Sequence, residues 1–226
     1  MVASVTVEDG ITARERRVPA GMTETLSAPA LAVSDEVADL LFRTARTTTS
    51  WAHGEVTDEQ VAAAWDLAKF GPTAMNTLPL RFLVVRSPEA KQRLVAHMAD
   101  GNKAKVEAAP VSLVLAADPA FHEHLDVLFP VYPGIKDQLA PAAEVREGMA
   151  RTNALLQAGY LILALRAVGL AAGPMNGMDF DGVDGEFFAE SGWKSFLVVN
   201  VGQAEGEGTA HPRLPRLAFE QVAEVL

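Results

Sequence analysis

A single mixed α and β domain is predicted by three features of the chain. Helix-forming residues dominate, short β-branched runs recur between them, and 226 residues of 49% hydrophobic content suffice for one sizeable core. Each element then has its own local signature.

Residues 1–30 read as an appendage. The charged cluster Arg14-Glu15-Arg16-Arg17 is followed by Pro, Gly, Ser and Ala without periodicity. That composition predicts a disordered extension, with Met22 as an alternative start. Residues 31–226 form the single folded domain, with no linker after residue 34. A first helix is capped by Ser34, with Asp35 and Glu36 in its first turn, where the helix dipole favours acids. A second begins with a capping box of Thr57 and Gln60. Val61, Ala64, Trp65 and Ala68 follow at helical spacing, and Gly71-Pro72 stops it.

Residues 82–85 read as a buried strand. Ser87-Pro88 starts a third helix with Leu94, Val95 and Met98 inward, and residues 111–116 form a second strand. Residues 119–143 lack periodicity and contain Phe121, Phe129, Pro130, Tyr132, Pro133 and Pro141. A stretch of that length is a lid or a mobile excursion. Residues 144–168 read as one long helix ended by Gly169. Its middle is apolar nearly all round, which predicts a central, buried position. Residues 196–201 form a third strand, ended by Gly202.

Charge and composition exclude several functions. The net charge of −10, with an isoelectric point of about 5.0, repels a phosphate backbone at long range, so nucleic acid is not an expected partner. A small phosphorylated ligand needs only a few local cations and remains open. With no cysteine, disulfides, thiolate catalysis and Cys-type metal sites are absent. Five histidines are present, and the His122/His124 pair, two residues apart, points to different helix faces, so no metal is expected. The most apolar run, near residues 155–165, lies between Arg151 and Arg166 and falls short of the roughly 20 residues a bilayer needs. The N-terminus has no apolar stretch of about 7–15 residues of the secretory kind. A soluble, cytoplasmic protein with no membrane partner is the expectation.

Nucleotide signatures of the Rossmann or phosphate-loop kind do not occur, nor does a Gly-x-Ser-x-Gly elbow. Three other segments carry chemistry. Arg46-Thr47-Thr48-Thr49 offers a cation and hydroxyls, suited to a phosphate and a polyol, or forms a plain hydroxyl-rich turn. The 71–82 loop has small residues and Asn76, which let a planar ligand approach the backbone, or is an ordinary helix-to-strand connection. The 169–177 stretch has glycines that free backbone N–H donors, or is a plain connection. Their joint occurrence in this order is the signal.

With five stretches in view, the chain from about Ser34 onward resembles the FMN-dependent nitroreductase superfamily, and within it the malonic semialdehyde reductase subgroup. The stretches are Ala45-Arg46-Thr47, Gly71-Pro72-Thr73, Asp100-Gly101-Asn102, Ala167-Val168-Gly169-Leu170 with Gly173-Pro174-Met175, and Arg213-Leu214-Pro215-Arg216-Leu217 with Phe219-Glu220. The resemblance implies an α+β fold of three layers, α-β-α, with a central mixed sheet flanked by helices. It implies an intertwined homodimer with FMN at the interface.

It further implies that Arg46 and Thr47 contact the phosphate or ribityl chain. Thr49 stands where relatives often carry a second basic residue near the flavin. Pro72, Thr73, Ala74 and Asn76 match a loop supplied by the partner subunit. Pro174 and Met175 match the cover of one isoalloxazine face, and an N–H of Asn176 or Gly177 matches the donor to flavin N5. Arg213 and Arg216 match the phosphate clamp, in either of two registers. The implied reaction is a ping-pong transfer of hydride from NADH or NADPH through FMN to a small carbonyl such as malonic semialdehyde (3-oxopropanoate). No side chain is nominated as acid or base. A broad nitroaromatic or quinone reductase, and a flavin-binding protein without turnover, are the alternatives.

Overall fold

The computed structural model describes residues 30–209 and 211–226, so the predicted N-terminal extension lies almost wholly outside the described residues. Residues from Val33 onward form one compact unit of α+β architecture. Helix α1 (Asp35–Ala38) is capped by the Ser34 hydroxyl and runs into a π-helical turn, Asp39–Arg43. Helix α2 (Asp58–Ala68) opens on the expected Thr57–Gln60 capping box. Strand β1 (Leu80–Val85) follows, then α3 (Pro88–Ala96), α4 (Asp100–Ala108) and β2 (Val111–Ala117).

A 3-10 turn, Phe121–His124, and the short helices α5 (Leu125–Leu128) and α6 (Ile135–Leu139) occupy the stretch read as irregular. Pieces of four or five residues are too short for helical periodicity to register in sequence. The long helix is α7 (Ala143–Ala167), followed by β3 (Ala171–Met175), α8 (Phe180–Phe187), β4 (Lys194–Gly202) and α9 (Phe219–Val222).

The sheet has the order β1-β2-β4-β3. Every pairing of named strands is antiparallel, where a mixed sheet was expected. The chain reverses direction between each pair of neighbours. The parallel pairing among the described residues is a single bridge between Thr47 and Ala172. Both faces of β2 are buried, so its side chains alternate between two cores. Leu113, Leu115 and Ala117 meet Ala64 of α2 and Ala154, Leu161 and Leu165 of α7 on one side. Val114 and Ala116 meet Leu94 of α3, Val106 of α4 and Val183 of α8 on the other. These are the three layers.

Two features depart from the sequence reading. The 169–177 stretch contains β3, an edge strand, where a connection was one expectation. Pro174 removes a ladder donor, which an edge position tolerates. Helix α7 is buried on one face only. Ala150, Asn153, Ala154, Gln157, Ala158 and Leu161 face the sheet, whereas Leu155, Leu156 and Tyr160 stay about half exposed. One sheet face can cover only one side of a helix, so the remaining apolar side is left open in a single chain. Among the described residues no helix is long and apolar enough to cross a membrane.

Candidate functional site

The segment after the first helix is stitched to β3 and to the turn that follows β4. The Thr48 N–H donates to the Ala172 carbonyl at 3.0 Å, and the Thr49 and Ser50 N–H groups donate to the Gly208 carbonyl at 2.7 and 3.1 Å. Gly208 presents that carbonyl from a left-handed backbone at φ 73°. Gly173 packs against the Thr48 carbonyl with no room for a side chain, since a Cβ there would overlap the oxygen.

Where these segments converge lies a cavity of about 610 Å³. Four arginines line it, Arg43, Arg46, Arg166 and Arg213, against one carboxylate, Glu207. In a chain of net charge −10 that is a local reversal of sign. The Arg46 guanidinium donates to the His211 carbonyl and lies 3.6 Å from Glu207. Arg213 donates to the Ala45 carbonyl at 3.0 Å, which ties the C-terminal stretch to the residue before Arg46. Arg43 is held by Asp35 and Asp39 at 2.8 and 3.0 Å. Arg166 donates to the Leu41 carbonyl at 2.9 Å, and its burial depresses its pKa. Thr48 lines the cavity with its side chain buried, whereas Thr47 and Thr49 are not among the lining residues.

Arg216 is different. It donates to its own neighbours, the Leu214 and Pro215 carbonyls, at 3.0 and 3.1 Å, and it is exposed outside the cavity lining. Of the two possible registers, the structure joins Arg213 to the Arg46 segment.

From Ala172 the strand carries the backbone on to Pro174 and Met175, about 10 Å further at three residues of rise. Asn176 is exposed beyond it. Gly177 is anchored through its carbonyl, which accepts the Ala99 N–H at 3.0 Å and the Asn102 side-chain amide at 3.1 Å. A Cβ on Gly177 would meet Asn102 Nδ2 at 2.7 Å, so any side chain there displaces the Asn102 amide from its bond to Gly177. Lys105 donates to Asn102 Oδ1 at 3.2 Å and brings a cation beside this turn. Sequence reasoning gave no role to Asn102 or Lys105. The available signal was the matched Asp100-Gly101-Asn102 stretch, with Lys105 one turn of α4 further on the same face.

Pro72, Thr73, Ala74 and Asn76 lie elsewhere. Their loop enters β1, which is separated from β3 by β2 and β4, about 14 Å across the sheet. It also sits at the opposite end. Leu80 faces Ala117, which faces Lys194, whereas Ala172 faces Val201, roughly 20 Å along β4. Within one chain, therefore, Arg46, Ala172 and Arg213 line one cavity, Pro174 and Met175 follow on the same strand beyond its lining, and the 72–76 loop does not join them. Pro72, Ala74 and Asn76 are exposed, and the Asn76 amide donates to the Leu128 carbonyl at 2.9 Å, which links this loop to α5.

Comparison with known proteins matches residues 43–203 to the model described as the Nitroreductase family. A Streptomyces coelicolor protein with the provisional name NADH dehydrogenase/NAD(P)H nitroreductase is 54% identical over 184 residues, 81% of this chain and 93% of that one. A Rhodopseudomonas palustris protein of the same provisional name is 45% identical over 188 residues, 83% of this chain and 95% of that one. Among solved structures, an Exiguobacterium sibiricum protein provisionally named a nitroreductase and crystallised with FMN superposes with a TM-score of 0.70. Its identity is 20%, over 88% of this chain and 100% of that one, a likeness of fold.

Proposed function

Because the chain belongs to the nitroreductase family, we propose that it is an FMN-dependent NAD(P)H oxidoreductase whose cofactor lies between two copies of the chain. The observation that carries this reading is the arginine-lined cavity, which runs into the edge strand bearing Pro174 and Met175. Arg46 and Arg213 hold the phosphate, with Thr48 in the cavity lining toward the polyol chain; by the family resemblance Thr47 serves the same chain and Thr49 stands near the flavin ring. Pro174 and Met175 cover one face of the ring, and the Asn176–Gly177 backbone donates to its reactive edge. Lys105, tied through Asn102 to Gly177, supplies the nearby cation that Thr49 does not. When bound, FMN supplies the two-electron hydride chemistry that no side chain here provides. The residues orient the reactants and exclude water.

Support for a homodimer comes from what one chain leaves unfinished. The 72–76 loop lies too far from its own cavity and is free to serve that of a second copy. The apolar face of Leu155, Leu156 and Tyr160, the outer edge of β1 and the apolar C-terminal stretch are uncovered among the described residues. Burying such surface is the main drive to association.

For the acceptor, the subgroup resemblance points to a small carbonyl such as malonic semialdehyde. A second reading, reduction of uncharged nitroaromatics or quinones, draws on the charges near the 72–78 loop. Arg81 is paired with Asp118 at 2.8 Å and Lys136 with Glu123 at 2.7 Å, so neither cation is free for a carboxylate. Val127 and Val131 project from the same region, 81% and 77% exposed.

The test is anaerobic reduction of the FMN-loaded protein by NADH and by NADPH, followed by aldehyde, nitro and quinone acceptors. Turnover of 3-oxopropanoate well above that of nitroaromatics supports the first acceptor, and the reverse supports the second. Tight FMN uptake with no reduction by either nicotinamide leaves a flavin-binding protein without turnover. A colourless protein that takes up no added FMN ends the proposal.

A further inference from the structure

The loop between α2 and β1 holds three non-glycine residues in the left-handed region, Met75 and Asn76 at φ 52° and Leu78 at φ 41°. L side chains disfavour that backbone, and it persists only where the surroundings over-determine it. Helix α7 does so here. Asn153 and Gln157 stand one turn apart on its sheet-facing side, 4% and 0% exposed. Asn153 Oδ1 accepts the Ala74 N–H at 2.7 Å, and Gln157 Oε1 accepts the Leu80 N–H at 3.0 Å. Those two N–H groups bracket all three left-handed residues.

The Asn153 amide is oriented for this. Its Nδ2 donates to the Met149 carbonyl at 2.8 Å, which turns the oxygen toward the loop. Within the loop, the Leu78 N–H donates to Thr73 Oγ1 at 3.3 Å, and Arg81 donates to the Leu78 carbonyl at 2.9 Å. Core packing against a sheet calls for apolar residues at positions 153 and 157. Two buried carboxamides, each engaged with a loop N–H, maintain a shape that an ordinary helix-to-strand connection does not need. Backbone strain of this kind gathers at ligand clamps.

We propose that Asn153 and Gln157 are positioning residues, which hold the 74–80 loop in the form that covers the flavin of the second subunit. The inference rests on the function proposed above, in which Pro72, Thr73, Ala74 and Asn76 approach the cofactor from the neighbouring chain. The acceptor oxygens of the two amides are the working atoms. Removing one frees the loop to relax, and FMN then has to order it again on binding.

The test titrates FMN into apoprotein by flavin fluorescence, for wild type, N153L, N153D and Q157L, with the apoprotein Tm and the kcat and KM of NAD(P)H oxidation alongside. N153L, which has no acceptor, weakens FMN about tenfold, whereas N153D, which keeps an oxygen toward Ala74, stays within about twofold of wild type. Both lose the bond to Met149, so a change in Tm common to the two is structural and does not follow FMN affinity. Q157L carries the N153L expectation at the other end of the loop and decides the matter if N153L does not fold. Equal FMN affinity in N153L, N153D and wild type overturns the inference, as does affinity that simply follows Tm. Wild-type protein that takes up no FMN overturns the proposed function itself, and the positioning role with it.

Discussion

The Thr48 N–H donates to the Ala172 carbonyl at 3.0 Å, and the next residue of β3, Gly173, is pressed against the carbonyl oxygen of Thr48. Two segments more than 120 residues apart in the chain are joined here backbone to backbone. The arginine-lined cavity lies at that junction, lined by Thr48, Ala171 and Ala172. A methyl group at position 173 forces them apart, since backbone atoms cannot rotate aside as a flexible side chain can. G173A is expected to destabilise the fold by about 1–3 kcal/mol, the usual range for overpacking, and to lower FMN uptake with it. Denaturant unfolding and flavin titration of the variant check both. Wild-type stability in G173A contradicts the junction.

Arg213 and Arg216 separate a cavity role from a local one. Arg213 reaches the Ala45 carbonyl beside Arg46, whereas among the described residues Arg216 bonds only its own neighbours. R46A and R213A are each expected to weaken FMN about ten- to a hundredfold, the range for losing a hydrogen bond to a charged group. R216A is expected to change it by much less. Flavin titration of the three variants at one salt concentration distinguishes them. A larger loss in R216A than in R213A selects the other register.

The C-terminal stretch predicts the oligomeric state. Phe219 and Val222 are 64% and 65% exposed in the single chain, and Val225 is 85% exposed. A chain ending at Arg216 keeps Arg213 but loses these apolar side chains. Its self-association is expected to weaken at least about tenfold, since burying even one large apolar side chain contributes roughly 1.5–3 kcal/mol. Sedimentation at several protein concentrations measures this. An unchanged dimer in the truncated chain removes the stretch from the interface, and a wild-type monomer at all concentrations removes the dimer.

His122 predicts a pH dependence. It is nearly buried, and its Nδ1 has no hydrogen-bond partner among the described residues. Burial, and then the Arg146 guanidinium, hold its pKa below the ordinary histidine value of 6.5, with Glu123 acting in the opposite direction. The unfolded chain therefore takes up a proton at a pH where the folded chain resists it. The stabilisation from the neutral ring is complete above the unfolded pKa and is lost as pH falls through the depressed folded one. Wild-type Tm is expected to fall more steeply than that of H122Q from about pH 7 toward acid. Parallel Tm curves for the two proteins rule the effect out.

Much of the fold is legible locally. The hydroxyls of Ser34 and Thr57 cap their helices, because a cap bonds an N–H only three residues away. The apolar runs of β2 and β4 mark the two central strands, which are buried on both faces. Strand β3 is not legible in this way. Its sequence, Ala-Ala-Gly-Pro-Met, has poor strand propensity and becomes a strand through its pairing with β4. The open face of α7 was hidden for a related reason. Periodicity reports which residues are apolar, not what is present to cover them.

The candidate site divides along the same line. Sequence by itself determined the local charge, the hydroxyls and the glycines of its segments, and the order in which they occur, which is enough to raise a resemblance. Tertiary structure decided which of them meet. It brought Arg213 to Ala45 and left Arg216 outside, tied Asn102 and Lys105 to Gly177, and set the 72–76 loop at the far edge of the sheet. The physical reason is range. Caps and helical periods arise from interactions within a few residues, whereas a cavity is made by backbones that meet only after the sheet has closed.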